Sequence, residues 1–126
     1  MQKEFRISLP NKPGRLARVA EDLGRQGVNI LAIAAIGAAN PVIALVVDQE
    51  DKTREALKKL RLRFQELELL TVDVPHHPGE LGIFAKKMGD AKINIDSIYL
   101  LEESGGKVKV ALTVSDLKKA KQKLGL

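Results

Sequence analysis

Leu9–Ile30, LPNKPGRLARVAEDLGRQGVNI, and Val74–Ile95, VPHHPGELGIFAKKMGDAKINI, are one pattern written twice. At an offset of 65, eight of the 22 paired positions are identical: Pro10/Pro75, Pro13/Pro78, Gly14/Gly79, Leu16/Leu81, Ala20/Ala85, Gly24/Gly89, Asn29/Asn94 and Ile30/Ile95. Unrelated segments of ordinary composition would share about one or two. A repeat of this kind is the first thing to settle, because it sets the size of the folding unit. Farther along, Ala44–Val47 (ALVV) answers Ala111–Val114 (ALTV). The chain is therefore read as two units, residues 1–69 and 70–126, with no Gly/Ser-rich linker between them.

Periodicity gives the elements of one unit. Phe5, Ile7 and Leu9 alternate with polar residues, the pattern of a half-buried strand. Pro13 suits a first helical turn, and Leu16, Val19, Ala20 and Leu23 fall on one helical face. Gly24 and Gly27 are expected to end that helix. Val28–Ile36 and Val42–Val47 are apolar and partly β-branched, and Gly37–Pro41 joins them as a hairpin. A second helix is expected after Asp51, burying Ala56, Leu57 and Leu60, and Arg63–Leu69 then reads as a short strand.

The second unit repeats the order. Leu70, Val72 and Val74 make a strand, and Leu81, Phe84, Ala85 and Met88 a helical face. Ile93–Leu101 and Lys107–Val114 flank a Glu-Glu-Ser-Gly-Gly turn, and Leu117, Ala120 and Leu124 mark a last helix. Residues up to 126 leave no room for most of a fourth strand in this unit. The fold class is thus α+β: two ferredoxin-like βαββαβ units with antiparallel sheets, the helices on one face, the second unit short of its last strand. Such sheets have open edges, so side-by-side association is expected, and a homodimer with it.

Composition narrows the function. The chain has 126 residues, 44% of them apolar, and no cysteine. Thiolate catalysis, disulfides and cysteine-held metals are excluded. No apolar run reaches the roughly 18–20 residues of a membrane helix, and no secretory pattern opens the chain, so a cytoplasmic location is expected. The net charge of +5 belongs to one half. Residues 1–65 hold 12 basic and 7 acidic side chains, and residues 66–126 hold 9 and 9.

Two matched features carry chemistry. Asn11-Lys12-Pro13-Gly14-Arg15-Leu16 and His76-His77-Pro78-Gly79-Glu80-Leu81 each lead from a strand into a helix. The first backbone N–H groups of a helix lack intrahelical partners and favour anions. Gly14 and Gly79 would let a ligand approach the backbone. Asn11 either caps the helix or faces a ligand, since its amide both donates and accepts. The second feature is Asn29-Ile30, answered by Asn94-Ile95. Asparagine is depleted in strands, yet it recurs here 18 residues after Asn11 and 18 after His76. It either bonds to a neighbouring turn or faces a ligand.

These residues together, NKPGRL…GVNI and HHPGEL…INID, resemble the ACT domain, a small regulatory βαββαβ module, and the likeness runs through the chain twice. It is most similar to tandem ACT proteins without an attached enzyme domain. The resemblance implies a sensor that binds a free amino acid at an interface between two modules, with no cofactor, no metal and no catalysis of its own. It implies control of an enzyme or regulator on another chain. Carried over by position, Asn11, Pro13, Gly14, Arg15 and Leu16 would meet Asn94 and Ile95. His76, Gly79 and Leu81 would meet Asn29 and Ile30. Leu16 and Leu81 are expected to pack the core rather than wall a site. His76 departs from the Asp or Asn usual in the family, and Gly37–Pro41 from its usual turn.

Rival functions find less in the residues. An adaptor or regulatory subunit without a ligand would use the same sheet edges. RNA-binding modules of this fold class stack bases on exposed sheet aromatics, and Phe5, Phe64, Phe84 and Tyr99 form no such pair, so nucleic acid is disfavoured. His76-His77 lacks a third metal ligand nearby. Asp96, two residues after Asn94, is the one carboxylate placed to matter at the site.

Overall fold

The computed structural model describes residues 2–10, 12–37 and 39–126. The chain divides into two compact units, Gln2–Leu67 and Glu68–Leu126.

The first unit runs β1 (Lys3–Ser8), α1 (Arg15–Arg25), β2 (Ile30–Ile36), β3 (Val42–Val47), α2 (Glu50–Lys59) and β4 (Arg63–Glu68). Its sheet has the order β2-β3-β1-β4. Strand β3 lies antiparallel to both neighbours, with Phe5 opposite Leu45 and Ile33 opposite Leu45 on the other side. Alternate residues of β1 and β3 (Phe5, Ile7, Ile43, Leu45, Val47) join Val19 and Leu23 of α1 and Ala56 and Leu57 of α2 in one core. Both helices therefore cover the same face, as the alternation predicts.

Two expectations need correction here. Leu16 is not in the core: it is 42% exposed. It sits in the first turn of α1, and spacing alone does not tell how far a helix overhangs the sheet. Helix α2 begins at Glu50, before Asp51, with Gln49 at its N-cap. The Thr53 hydroxyl donates back to the Gln49 carbonyl at 2.8 Å, and Glu50 accepts the Lys3 backbone N–H at 2.9 Å. Two carboxylates in the first turn suit the positive end of a helix.

Strand β4 is fastened by charge and by an aromatic pair. The Arg54 guanidinium of α2 donates to both carboxylate oxygens of Glu66, through Nε at 2.8 Å and through its terminal nitrogen. These bonds hold the Glu66 carboxyl below its ordinary range. Phe64 packs on Phe5 with ring centroids 6.1 Å apart.

The second unit runs β5 (Leu70–Pro75), α3 (Glu80–Asp90), β6 (Ile95–Ser104), β7 (Lys107–Val114) and α4 (Leu117–Leu124). Its sheet has the order β5-β7-β6, with β7 antiparallel to both neighbours. The core joins Leu70 and Val74 with Val108, Val110 and Leu112, under Phe84 and Met88 of α3 and Ala120 of α4. Among the described residues, no strand pairs with the outer edge of β5.

Leu81 repeats the behaviour of Leu16 and is also 42% exposed. Glu102, Glu103 and Ser104, expected in a turn, extend β6 instead. Gly105 and Gly106, at φ of +60° and +78°, make the whole turn. Two residues in the left-handed region form the tight hairpin that suits strand twist. Both central hairpin strands before the turn start later than expected, at Ile30 and Ile95, because Asn29 and Asn94 are engaged with the ends of β3 and β7, as described below.

Candidate functional site

The two strand-to-helix loops share one backbone form. In the first, the Arg15 N–H donates to the Lys12 carbonyl at 3.3 Å and the Arg18 N–H to Gly14 at 3.0 Å. In the second, Glu80 donates to His77 at 3.2 Å and Ile83 to Gly79 at 3.1 Å. Gly14 and Gly79 stand at the N-caps with φ of +87° and +90° and no side-chain cap. Only glycine takes this conformation without strain, and a Cβ at either would meet nothing within 4 Å. Pro13 and Pro78 lie in the turns just ahead of the helices rather than within them. Asn11 lies outside the described residues.

Side-chain chemistry separates the loops. A groove of about 170 Å³ opens at the loop end of the first unit. Lys12, Arg15 and Leu16 line one side, and Ile36, Pro41 and Ile43 of the hairpin line the other. Among the described residues, its lining holds two cations and no carboxylate. The first turn of α1 likewise carries no acid, so the positive helix end and two fixed charges act together. In the second loop, His77 replaces Lys12 and Glu80 replaces Arg15, with His77 Nδ1 3.9 Å from Glu80 Oε1. Lys12 and the hairpin wall were missed by sequence reasoning. The signal for the wall was the unusual Gly37–Pro41 segment, which brings Pro41 to the groove.

The asparagines lie elsewhere. The Asn29 backbone N–H donates to Asp48 Oδ1 at 2.8 Å, and its side-chain amide donates to Asp48 Oδ2 at 3.2 Å. Asp48 N–H returns a bond to the Asn29 carbonyl at 3.1 Å. Asn94 is held in the same place by different partners. Its backbone N–H donates to Ser115 Oγ at 2.9 Å, and its side-chain amide to Asp96 Oδ1 at 2.7 Å. Both asparagines thus bond to neighbouring turns or strands, and in both a carboxylate holds the amide nitrogen.

Strand register separates loops from asparagines within each unit. Val42 pairs with Ser8 and with Ile36, at the loop end, while Ile30 pairs with Val47. Five residues of β3 separate these ends, about 17 Å at some 3.3 Å per residue. In the second unit Pro75 pairs with Lys107, and Ile95 with Val114, again at opposite ends. So Pro13, Gly14, Arg15 and Leu16 gather at one end of their sheet, and Asn29 with half-buried Ile30 at the other. His76, Gly79 and Leu81 are likewise parted from Asn94 and Ile95. Neither sheet assembles a loop and an asparagine by itself.

Among the described residues, no three His, Cys, Asp or Glu side chains gather in metal-binding reach. Among them, no helix is long and apolar enough to cross a membrane.

Comparison with known proteins gives the following. The ACT domain family model matches residues 3–61. A crystal structure of a protein from Bacteroides thetaiotaomicron is 25% identical, with 98% of this chain and 85% of that chain covered and a TM-score of 0.84. The ligand-free regulatory subunit of aspartate kinase from Thermus thermophilus is 17% identical over 98% of this chain and 87% of that one, with a TM-score of 0.67. Aspartate kinase from Clostridium acetobutylicum is 17% identical, covers 98% of this chain and 32% of that chain, and has a TM-score of 0.61. No curated protein matches the chain in sequence.

Proposed function

Residues 3–61 are an ACT domain, and from that premise we propose that the chain is a regulatory module that binds a free amino acid and acts on an enzyme or regulator carried by another chain. The observation that carries this reading is the loop-end groove of the first unit, where Lys12 and Arg15 are the charged residues among the described lining, amid apolar ones. A carboxylate would sit by the first turn of α1 near these cations, and an aliphatic body would lie along Leu16, Ile36 and Ile43. The amino group needs an acceptor, which none of the described lining residues supplies as a side chain. Asn94 fits that need: Asp96 occupies its amide nitrogen, and the amide oxygen accepts. Asn29, held by Asp48, offers the same to the loop of His76 and Gly79.

Because loop and asparagine lie at opposite ends of each sheet, such a site is complete only when the loop end of one sheet meets the asparagine end of another. Association of units meets that requirement, and a homodimer is one form it takes. The same fold occurs in the regulatory subunit of aspartate kinase, which supports a non-catalytic role. A cysteine-free chain suits the cytoplasm. A second reading, an adaptor without ligand, draws on edge strand β2, whose Leu31, Ile33 and Ile36 are 52%, 45% and 59% exposed. An uncharged edge strand invites pairing.

Thermal shift against the twenty amino acids separates the two readings. A ligand at a hundred times its dissociation constant adds about 2.7 kcal/mol. At least one amino acid is expected to raise the melting temperature, and Lys12→Ala with Arg15→Ala to abolish the rise. No shift for any of them at millimolar concentration leaves the adaptor.

A further inference from the structure

The twelve basic side chains of residues 1–65 are sorted by place. Lys3, Arg6, Arg25 and Arg54 each pair with a carboxylate. Lys12, Arg15, Arg18, Arg61 and Arg63 are all exposed and form no ion pair among the described residues. These five stand at the loop end of the first sheet. Lys12 and Arg15 line the groove that Val42 also lines. Arg15 and Arg18 share a smaller space with Leu60 and Leu62, the two neighbours of Arg61 in the chain. Arg63 lines a hollow of about 260 Å³ with Ser8 and Val42, which pair at this end of β1 and β3. Among the described residues lining the three spaces, none is acidic.

Helix chemistry accounts for some cations at this end and not for others. Lys58 and Lys59 lie in the last turn of α2, where a cation answers the negative end of the helix. Arg15 opens α1 and Arg18 follows within a turn, and the first turn of that helix carries no acid. Both stand by the positive end of α1, which opposes a cation. Departures from a local preference gather at functional sites. The second unit has no such end. At the offset of 65, Lys12, Arg15 and Arg18 are answered by His77, Glu80 and Ile83. At the offset of 67 that aligns Gln49 and Asp116, the N-caps of α2 and α4, Lys58 is answered by Gly125.

Four of the five cations are arginines, whose planar guanidinium meets a carboxylate at two points. The cationic surface is short. Helix α1 turns acidic at Glu21 and Asp22, one turn past Arg18, and the other end of the sheet carries Asp48, Glu50 and Asp51. A nucleic-acid duplex, charged along its whole length, would run on to those acids, whereas a short acidic stretch ends where the cations end. We propose that the loop end of the first unit is a docking surface for a short acidic stretch of a partner protein, whose carboxylates pair with Arg18, Arg61 and Arg63. These three lie outside the lining of the groove assigned to the amino acid, so the docking surface does not depend on that reading.

The test uses the full chain with a fluorescein-labelled hexaglutamate peptide and, separately, a labelled DNA duplex. Anisotropy is expected to show saturable binding of the peptide at low salt, weakening as salt is added. The combined variant Arg18→Glu, Arg61→Glu, Arg63→Glu is expected to lose about tenfold or more in affinity, and the neutral variant Arg18→Gln, Arg61→Gln, Arg63→Gln to lose part of that. Lys107→Glu, Lys118→Glu, Lys123→Glu changes net charge as much as the first variant and is expected to leave affinity within about twofold. No saturable binding at millimolar peptide overturns the proposal. Equal losses in the arginine and lysine variants overturn it as well, since net charge alone would then suffice. Tighter binding of the duplex through the same arginines assigns the surface to nucleic acid instead. Self-association that only the arginine variants abolish, followed by light scattering, assigns it to a second copy.

Discussion

Leu57 and Leu124 occupy the same place on their helices at the offset of 67, and only one of them is sealed. Leu57 is fully buried, enclosed by β1, β3 and the strand that follows its helix. Leu124 packs on its core only in part and lines the open groove of about 550 Å³. Truncating each to alanine should therefore cost different amounts. Leu57→Ala removes a fully buried side chain and leaves a closed void, which places it at about 3–4 kcal/mol. Leu124→Ala loses the transfer term for roughly half a side chain and leaves no enclosed void, because the groove already opens to water. That gives about 1 kcal/mol. Urea titration measures both, with the slope checked for constancy. Tyr99 is the single tyrosine and lies in β6, so its fluorescence follows the second unit, while far-UV circular dichroism follows both. Equal costs for the two substitutions, or a cost above about 2 kcal/mol for Leu124→Ala, would refute the claim that the second unit is left open where the first is closed.

Two further outcomes follow from local chemistry. Glu66 has a lowered pKa in the folded chain, first through its hydrogen bonds from Arg54; its contribution to stability is complete above the ordinary carboxylate pKa and is lost as pH falls through the lowered value. Glu66→Gln should flatten the acid limb of the stability curve below about pH 4, and an unchanged limb in a pH series of urea titrations would contradict the pairing. Gly14→Ala has room for its Cβ but must adopt φ near +87°, so it should cost about 1 kcal/mol, a melting-temperature drop of about 4–8 °C; a variant as stable as the parent would mean that the loop is free to take another form.

Much of the architecture was legible because the repeat and the alternation are both periodic signals. Phe5, Ile7 and Leu9 pointed inward as their spacing requires, and β7 kept its expected bounds. What failed were statements about ends. The first turn of each unit's opening helix overhangs its sheet, so Leu16 and Leu81 satisfy the helical spacing without being buried. Helix α2 started early because two acids in its first turn are favourable at a helix N-terminus, a signal present in Glu50-Asp51 but read as a boundary. Residues Glu102–Ser104 look like a turn by composition, yet two glycines suffice for the hairpin, and the strand takes the rest. The candidate residues divided between the two ends of each sheet, because a βαβ crossover returns the chain to where it began: Asn29 follows α1 at the end where β1 entered, not where the loop left it.

The repeat also bears on what the two loops can do, because duplication preserved backbone and altered charge. The hydrogen bonds, the positive φ of Gly14 and Gly79 and the exposure of Leu16 and Leu81 all agree between units. Where the first unit has Lys12 and Arg15, the second has His77 and Glu80. A carboxylate brought within about 5 Å of Glu80 would be opposed by about 3 kcal/mol at an effective dielectric near 20, whereas Arg15 attracts it by a similar amount. A helix terminus contributes at most about 1–2 kcal/mol toward an anion, which does not offset that repulsion. A shared backbone therefore does not make two equal amino-acid sites. The first loop suits a carboxylate, and the second suits one only if a cation from another module outweighs Glu80. The same divergence accounts for part of the charge difference between the halves, because two cations of the first loop are answered by His77 and Glu80 in the second.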